Sequence, residues 1–154
     1  MFVDIATVKV KAGKCGDGAV SFRHEKYVDK GGPDGGDGGR GGDVVFRATK
    51  DLNTLLNFRY KPELTAESGQ AGSKRNKRGR SGEPLLVKVP VGTLVTRGGE
   101  LVVDLAEDGQ EAVVAKGGDG GFGNAHFKSS TRQAPRMAEL GEAGEEFEAE
   151  LELK

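Results

Sequence analysis

The sequence predicts an all-β fold, a sandwich or barrel of short strands that carries glycine-rich extended segments. Three observations lead there. Apolar and polar side chains alternate with a two-residue period at many places along the chain, the period of a half-buried strand. A helical pattern is confined to one short stretch. Glycine-rich stretches fall between the strand candidates and are not gathered into a single linker, and short strands separated by glycine turns indicate a sandwich or barrel.

Taken in order, "TVKVKA" (7–12) alternates Val8, Val10 and Ala12 with Thr7, Lys9 and Lys11. "AVSFRHE" (19–25) and "DVVFRAT" (43–49) are further strand candidates. The brief helix is expected around "TKDLNTLLNF" (49–58), with Thr49 or Asp51 as its cap. In "LLVKVPVG" (85–92), Leu85, Val87, Val89 and Val91 share one face. Pro90 lacks a ladder donor and is placed at an edge or bulge. "ELVVDLA" (100–106) and "EAVVAKG" (111–117) follow. In the last stretch, "EFEAELELK", Phe147, Ala149, Leu151 and Leu153 alternate with glutamates, which reads as a strand with a polar outer face.

The chain has 26 glycines in 154 residues, well over twice the usual share of about 7%. They cluster at 13–18, 31–42, 69–82 and 117–123. The densest run holds Gly31, Gly32, Gly35, Gly36, Gly38, Gly39, Gly41 and Gly42, and a later one holds Gly117, Gly118, Gly120 and Gly121. From Gly35 the text reads GGD-GGR-GGD, a period of three. Polyproline II has three residues per turn, so Asp37, Arg40 and Asp43 would line one edge of a rod and leave two edges of bare glycine. Bare edges let neighbouring rods meet backbone to backbone. Composition alone suits a disordered loop, whereas a packed bundle needs several such segments, and this chain has them. "GGRGGDVVF" (38–46) also fits one calcium β-roll nonapeptide, but no tandem copy follows to share ligands.

Charge is unevenly spread. Residues 1–99 carry 18 lysines and arginines against 11 acids, and residues 100–154 carry 5 against 13. "SKRNKRGRS" (73–81) packs Lys74, Arg75, Lys77, Arg78 and Arg80 into seven positions. Such crowding is self-repulsive and has no use in folding alone. A second acid-free stretch, "FGNAHFKSSTRQAPR" (122–136), carries Lys128, Arg132 and Arg136 with Phe122, His126 and Phe127 interleaved. A solvated basic loop is the bland explanation. Two such runs beside glycine loops favour nucleic acid, because phosphates attract cations and exposed bases stack on aromatic or guanidinium planes.

Several chemistries find no support. "GQAGSK" (69–74) lacks the spacing of a phosphate-binding P-loop, and no helix pattern follows it. His24 and His126 lie far apart in sequence with no metal-like companion, and the one cysteine, Cys15, has no adjacent base. No metal or cofactor site is expected within these residues, and the chain does not read as an enzyme. No apolar run approaches the roughly 20 residues of a membrane helix, and a single cysteine, which cannot form an internal disulfide, fits the reducing cytoplasm expected for the chain.

Five ordered blocks, "VSFRHEKYVDKGGPDGGDGGRGGDVVF" (20–46), "DLNTLLNFRY" (51–60), "VKVPVGTLV" (87–95), "VAKGGDGGFGN" (114–124) and "FKSSTRQAPR" (127–136), strongly resemble the N-terminal domain of the Obg family of GTP-binding proteins. The resemblance implies a single domain over 1–154. In it, a bundle of glycine-rich left-handed polyproline II segments projects from a β barrel of about eight strands. It further implies a P-loop GTPase domain after Lys154, which would bind GTP and Mg²⁺, and a role in large ribosomal subunit maturation through contact with 23S-type rRNA. Carried onto this chain, the contact loops are 30–43, 73–82 and 127–136. The candidate residues are Lys30, Arg40, Lys74, Arg75, Lys77, Arg78, Arg80, Lys128, Arg132 and Arg136. The alternative is a regulatory protein-interaction platform, with the acidic strand face or the barrel holding a partner.

Overall fold

The computed structural model describes residues 4–22, 32–127 and 138–154. Eight strands form two sheets: β1 (Asp4–Lys11), β2 (Val44–Thr49), β3 (Glu63–Thr65), β4 (Leu85–Pro90), β5 (Thr93–Arg97), β6 (Glu100–Leu105), β7 (Glu111–Ala115) and β8 (Glu146–Leu153). One sheet has the order β3-β1-β8-β5-β6 and the other β4-β2-β7. Neither closes on itself, so the all-β expectation holds in its sandwich form and the closed barrel does not.

The alternating faces are those read from the sequence. Ala6, Val8 and Val10 of β1 point inward while Ile5, Thr7, Lys9 and Lys11 face out. β8 pairs with β1 antiparallel, from Asp4↔Leu153 to Lys11↔Glu146, burying Ala149 and Leu151. Their outer faces place lysines opposite glutamates, a favourable cross-strand arrangement, and Lys9 Nζ lies 3.0 Å from Glu146. Val44, Phe46 and Ala48 of β2, Val87 and Val89 of β4, Val95 of β5 and Leu105 of β6 complete one core between the sheets. Pro90 ends β4, an edge strand, where no ladder donor is needed.

Three expectations fail locally. "AVSFRHE" forms no strand among its described residues, only a bridge of Phe22 to Pro33. Strands β3 and β5 lie outside the candidates, β3 being three residues long. The helix, α1, covers Leu56–Tyr60, later than expected, and Thr49 belongs to β2. Its first turn is held from a distance: Asp4 Oδ2 accepts the Leu55 N–H at 2.7 Å and the Thr54 hydroxyl at 2.9 Å.

Strand direction gathers the glycine segments at one end. β1 and β3 are parallel and β8 runs against them; β2 and β4 are parallel and β7 runs against them. The ends of β1, β3 and β7 and the starts of β2, β4 and β8 therefore face the same way. From these six junctions the chain makes three excursions, out along 12–19 and back along 34–43, out along 66–73 and back along 77–84, out along 116–124 and back along 139–145. Parallel pairs need long crossovers; the first two excursions lie within the β1–β3 and β2–β4 crossovers, and the third links β7 to β8 across the two sheets.

The six segments hold together by backbone hydrogen bonds that advance three residues at a time. N–H groups of Gly13, Gly16 and Ala19 donate to the carbonyls of Gly42, Gly39 and Gly36. Gly36, Gly39 and Gly42 donate to Ser73, Gln70 and Glu67, while Asn76, Gly79, Gly82 and Leu85 donate to Asp34, Asp37, Arg40 and Asp43. Cys15 and Gly18 donate to Glu142 and Glu139. Segment 139–145 is not among the glycine clusters read from the sequence.

The GGD-GGR-GGD run shows why glycine is required. Asp37, Arg40 and Asp43 keep access to solvent, and Gly35, Gly36, Gly38, Gly39, Gly41 and Gly42 are buried. A β-carbon at Gly35, Gly38 or Gly41 would lie 1.7–2.0 Å from the carbonyl oxygens of Ala19, Gly16 and Gly13. One at Gly36, Gly39 or Gly42 would lie 2.0–2.2 Å from those of Lys77, Arg80 and Glu83. Gly117 and Gly118 are closed off in the same way. Gly120 and Gly121 instead turn the chain with φ of +84° and +64°. Gly31 lies outside the described residues, and Gly32 is half-buried near the tip.

Candidate nucleic-acid interface

Among the described residues, the end of the bundle far from the sandwich brings together residues 21–22, 32–35, the turn at 73–77 and Asn124. Two buried polar side chains tie them together. Asn124 Oδ1 accepts the Gly35 N–H at 2.8 Å and its Nδ2 donates to the Ser21 carbonyl at 2.9 Å, joining segments 34–43 and 116–124 to Ser21, just beyond segment 12–19. In the three-residue series that Gly41 and Gly38 make with Gly118 and Gly121, this side-chain oxygen takes the third carbonyl's place. Asp34 accepts the Arg75 N–H at 3.1 Å and so joins segment 34–43 to the basic turn. Neither residue was singled out from the sequence, because each acts on backbone groups at least 40 residues away.

The basic turn is a tight reversal. The Ser73 N–H donates to the Lys77 carbonyl at 3.0 Å, and Arg75 and Asn76 have φ of 62° and 54°, the left-handed pair of a hairpin turn. Lys74, Arg75, Lys77 and Arg78 are all exposed, and among the described residues none is given an ion-pair partner. Arg80, further down the shaft, lies 3.7 Å from Glu67, and Arg40 lies 3.9 Å from Asp119. The block read as five equivalent cations thus divides into four free ones at the turn and one beside a carboxylate. Lys30, Lys128, Arg132 and Arg136 lie outside the described residues.

Aspartates along the shaft stand in for backbone acceptors. Asp43 Oδ1 accepts the Gly117 N–H at 2.7 Å, Asp37 Oδ1 that of Gly123 at 2.9 Å, and Asp17 Oδ1 that of Gly141 at 2.7 Å. The Gly141 N–H, against a burial penalty and with added help from Lys14, holds the Asp17 carboxyl below its ordinary 3.8. Cys15 is fully buried among glycine carbonyls, its Sγ 3.5 Å from Gly120 O. Burial first, then the nearby Asp119 charge, pushes its thiol above the ordinary 9.0, with Arg78 and Arg40 opposing. Such a thiol stays protonated and is unsuited to nucleophilic work.

A two-sheet, nearly all-β chain with glycine-rich segments at one end is consistent with the all-β Obg fold. The chain belongs to the GTP1/OBG family, which it matches over residues 3–154, and corresponds to the family's N-terminal domain. It is 56% identical to the GTPase Obg of Caldicellulosiruptor saccharolyticus, over all of this chain and 36% of that protein. It is 58% identical to the GTPase Obg of Persephonella marina and 57% identical to that of Prosthecochloris aestuarii, over 99% of this chain and 46% and 47% of those proteins. The chain thus spans less than half the length of these relatives. Among the described residues, no helix is long and apolar enough to cross a membrane.

Proposed function

We propose that this domain docks an Obg-type GTPase onto RNA of the large ribosomal subunit, with the glycine bundle as a slender rod and its tip as the contact. The observation that carries the reading is the division of charge: four exposed cations, with no ion-pair partner among the described residues, sit on or directly after one tight turn at the far end of the bundle. Each cation that neutralises a phosphate releases counterions and adds affinity independent of base sequence.

The rod itself follows from the three-residue hydrogen-bond step, which is the repeat of polyproline II. At about 3.1 Å per residue, segment 34–43 would reach roughly 28 Å from the sandwich. With glycine on its inner edges, the rod is slim enough for a narrow RNA-walled cavity that the sandwich could not enter. GTP and Mg²⁺ would bind in a P-loop domain outside these residues, and docking would couple nucleotide state to ribosome occupancy in the cytoplasm. Lys30, Arg40, Lys128, Arg132 and Arg136 are further candidate contacts.

The test is cosedimentation with large subunits across a salt series, comparing the chain with its Lys74→Ala/Arg75→Ala/Lys77→Ala/Arg78→Ala/Arg80→Ala variant. Binding should weaken and the log–log salt slope should flatten by about 0.7–0.9 for each contacting cation removed. An unchanged slope removes this turn from the interface. Salt-insensitive binding to a protein with no affinity for ribosomes would support the regulatory platform instead.

A further inference from the structure

One buried carboxylate holds the basic turn from beneath. Asp34 stands at the tip end of segment 34–43 and is 6% exposed. Its Oδ2 accepts the Arg75 N–H at 3.1 Å, and its main-chain carbonyl accepts the Asn76 N–H at 2.6 Å. Arg75 and Asn76 are the only non-glycine residues with positive φ among the described ones. Asparagine enters that region readily, but arginine is there at a cost, and turns of this kind favour asparagine–glycine pairs. A strained backbone persists where its surroundings over-determine it, and here the side-chain and main-chain bonds to Asp34 add to the Ser73–Lys77 bond that closes the turn. Its other oxygen, Oδ1, is buried and has no hydrogen-bond partner among the described residues. The carboxylate's polar contact with the described structure therefore runs through the turn.

We propose that Asp34 is a positioning residue for the RNA-contacting tip: by bonding the Arg75 and Asn76 amides, it fixes the Ser73–Lys77 turn so that Lys74, Arg75, Lys77 and Arg78 project together. The proposal rests on the docking function proposed above. It gives Asp34 a role opposite in sign to its charge. An anion beneath a phosphate-binding turn repels RNA, so removing it by charge alone would tighten binding. Removing a positioning group weakens binding, because the cations must then be ordered when RNA arrives.

The experiment compares large-subunit binding by the 154-residue chain, Asp34→Ala, Asp34→Asn and the fourfold variant Lys74→Ala/Arg75→Ala/Lys77→Ala/Arg78→Ala, with amide exchange measured on each free protein. Asp34→Ala should weaken binding about tenfold, the scale of one charge-assisted hydrogen bond, and speed exchange at Arg75, whose N–H loses its side-chain acceptor, while Gly38 and Gly41 stay protected. Asp34→Asn keeps an acceptor oxygen for the Arg75 N–H and should bind at least as tightly as the parent. The proposal is overturned if Asp34→Ala binds as well as the parent, or if Asp34→Asn binds as weakly as Asp34→Ala. Should Asp34→Ala also lose protection at Gly38 and Gly41, the asparagine variant alone decides. A fourfold variant that binds like the parent sinks the RNA reading itself. In that case the exchange rate at Arg75 still decides whether the Asp34 side chain holds the turn.

Discussion

Gly38 lies against Gly16 so closely that a β-carbon on Gly38 would stand 1.7 Å from the Gly16 carbonyl oxygen. Neither segment can yield alone, since the Gly16 N–H is bonded to Gly39 and the Gly38 N–H to Gly121. Gly38→Ala should therefore cost about 3 kcal/mol, at the upper end of overpacking penalties. Arg40→Ala, two residues on at an exposed position, should stay within about 0.5 kcal/mol. Urea denaturation of both variants checks this, and equal stabilities would mean the segments are not packed backbone to backbone.

Asp4 is a second point of leverage, at the sandwich. Its carboxylate takes the Thr54 hydroxyl and the Leu55 N–H, and Arg59 Nη2 lies 3.6 Å away. Asp4→Ala leaves the start of α1 without its acceptor and should lower stability by about 1–3 kcal/mol. Thr49→Ala and Asp51→Ala, changes at the caps expected from the sequence, should cost less in the same thermal melts.

Acid should loosen the bundle through Asp17. Its folded pKa lies below 3.8, chiefly because of the Gly141 N–H, so it favours the folded state above that value. That contribution is lost as pH falls from about 3.8 through the lower folded value. Glu146, held below its ordinary 4.5 by the hydrogen bond and then the charge of Lys9, acts in the same direction. Asp17→Asn should give a shallower fall in stability below pH 4 than the parent. Identical acid profiles would deny Asp17 that part.

Cys15 reports on opening of the bundle. Buried among glycine carbonyls and with a raised pKa, it should react with a thiol reagent at pH 8 only as fast as the segments separate. Mild urea should accelerate the labelling. Rapid stoichiometric labelling of the folded chain would show that the inner face is open.

The sequence was most legible where one residue type answers to one local rule. The alternation of Phe147, Ala149, Leu151 and Leu153 marks β8 because a strand has a two-residue period, and the spacing of Asp37, Arg40 and Asp43 marks one edge of a segment because the repeat is three. It was least legible where a group serves a distant backbone. Nothing around Asp4 signals a helix start 50 residues later, and Asp34 and Asn124 are single polar residues whose partners are main-chain amides elsewhere. Segment 139–145 was hidden because Gly141 and Gly144 stand singly among glutamates that resemble the outer face of β8. The basic block was visible as charge, but its division was not: Glu67 lies 13 residues before Arg80, and Asp119 lies 79 residues after Arg40.

A rod able to carry cations into an RNA cavity must be stiff before RNA arrives. Amide hydrogen exchange at Gly36, Gly38, Gly39, Gly41 and Gly42 of the free chain measures that stiffness directly, since each N–H is bonded to a neighbouring segment. A preformed bundle predicts protection close to that of the sandwich core. Exchange at the rate of an unstructured peptide would contradict it, leaving the glycines as a slack tether.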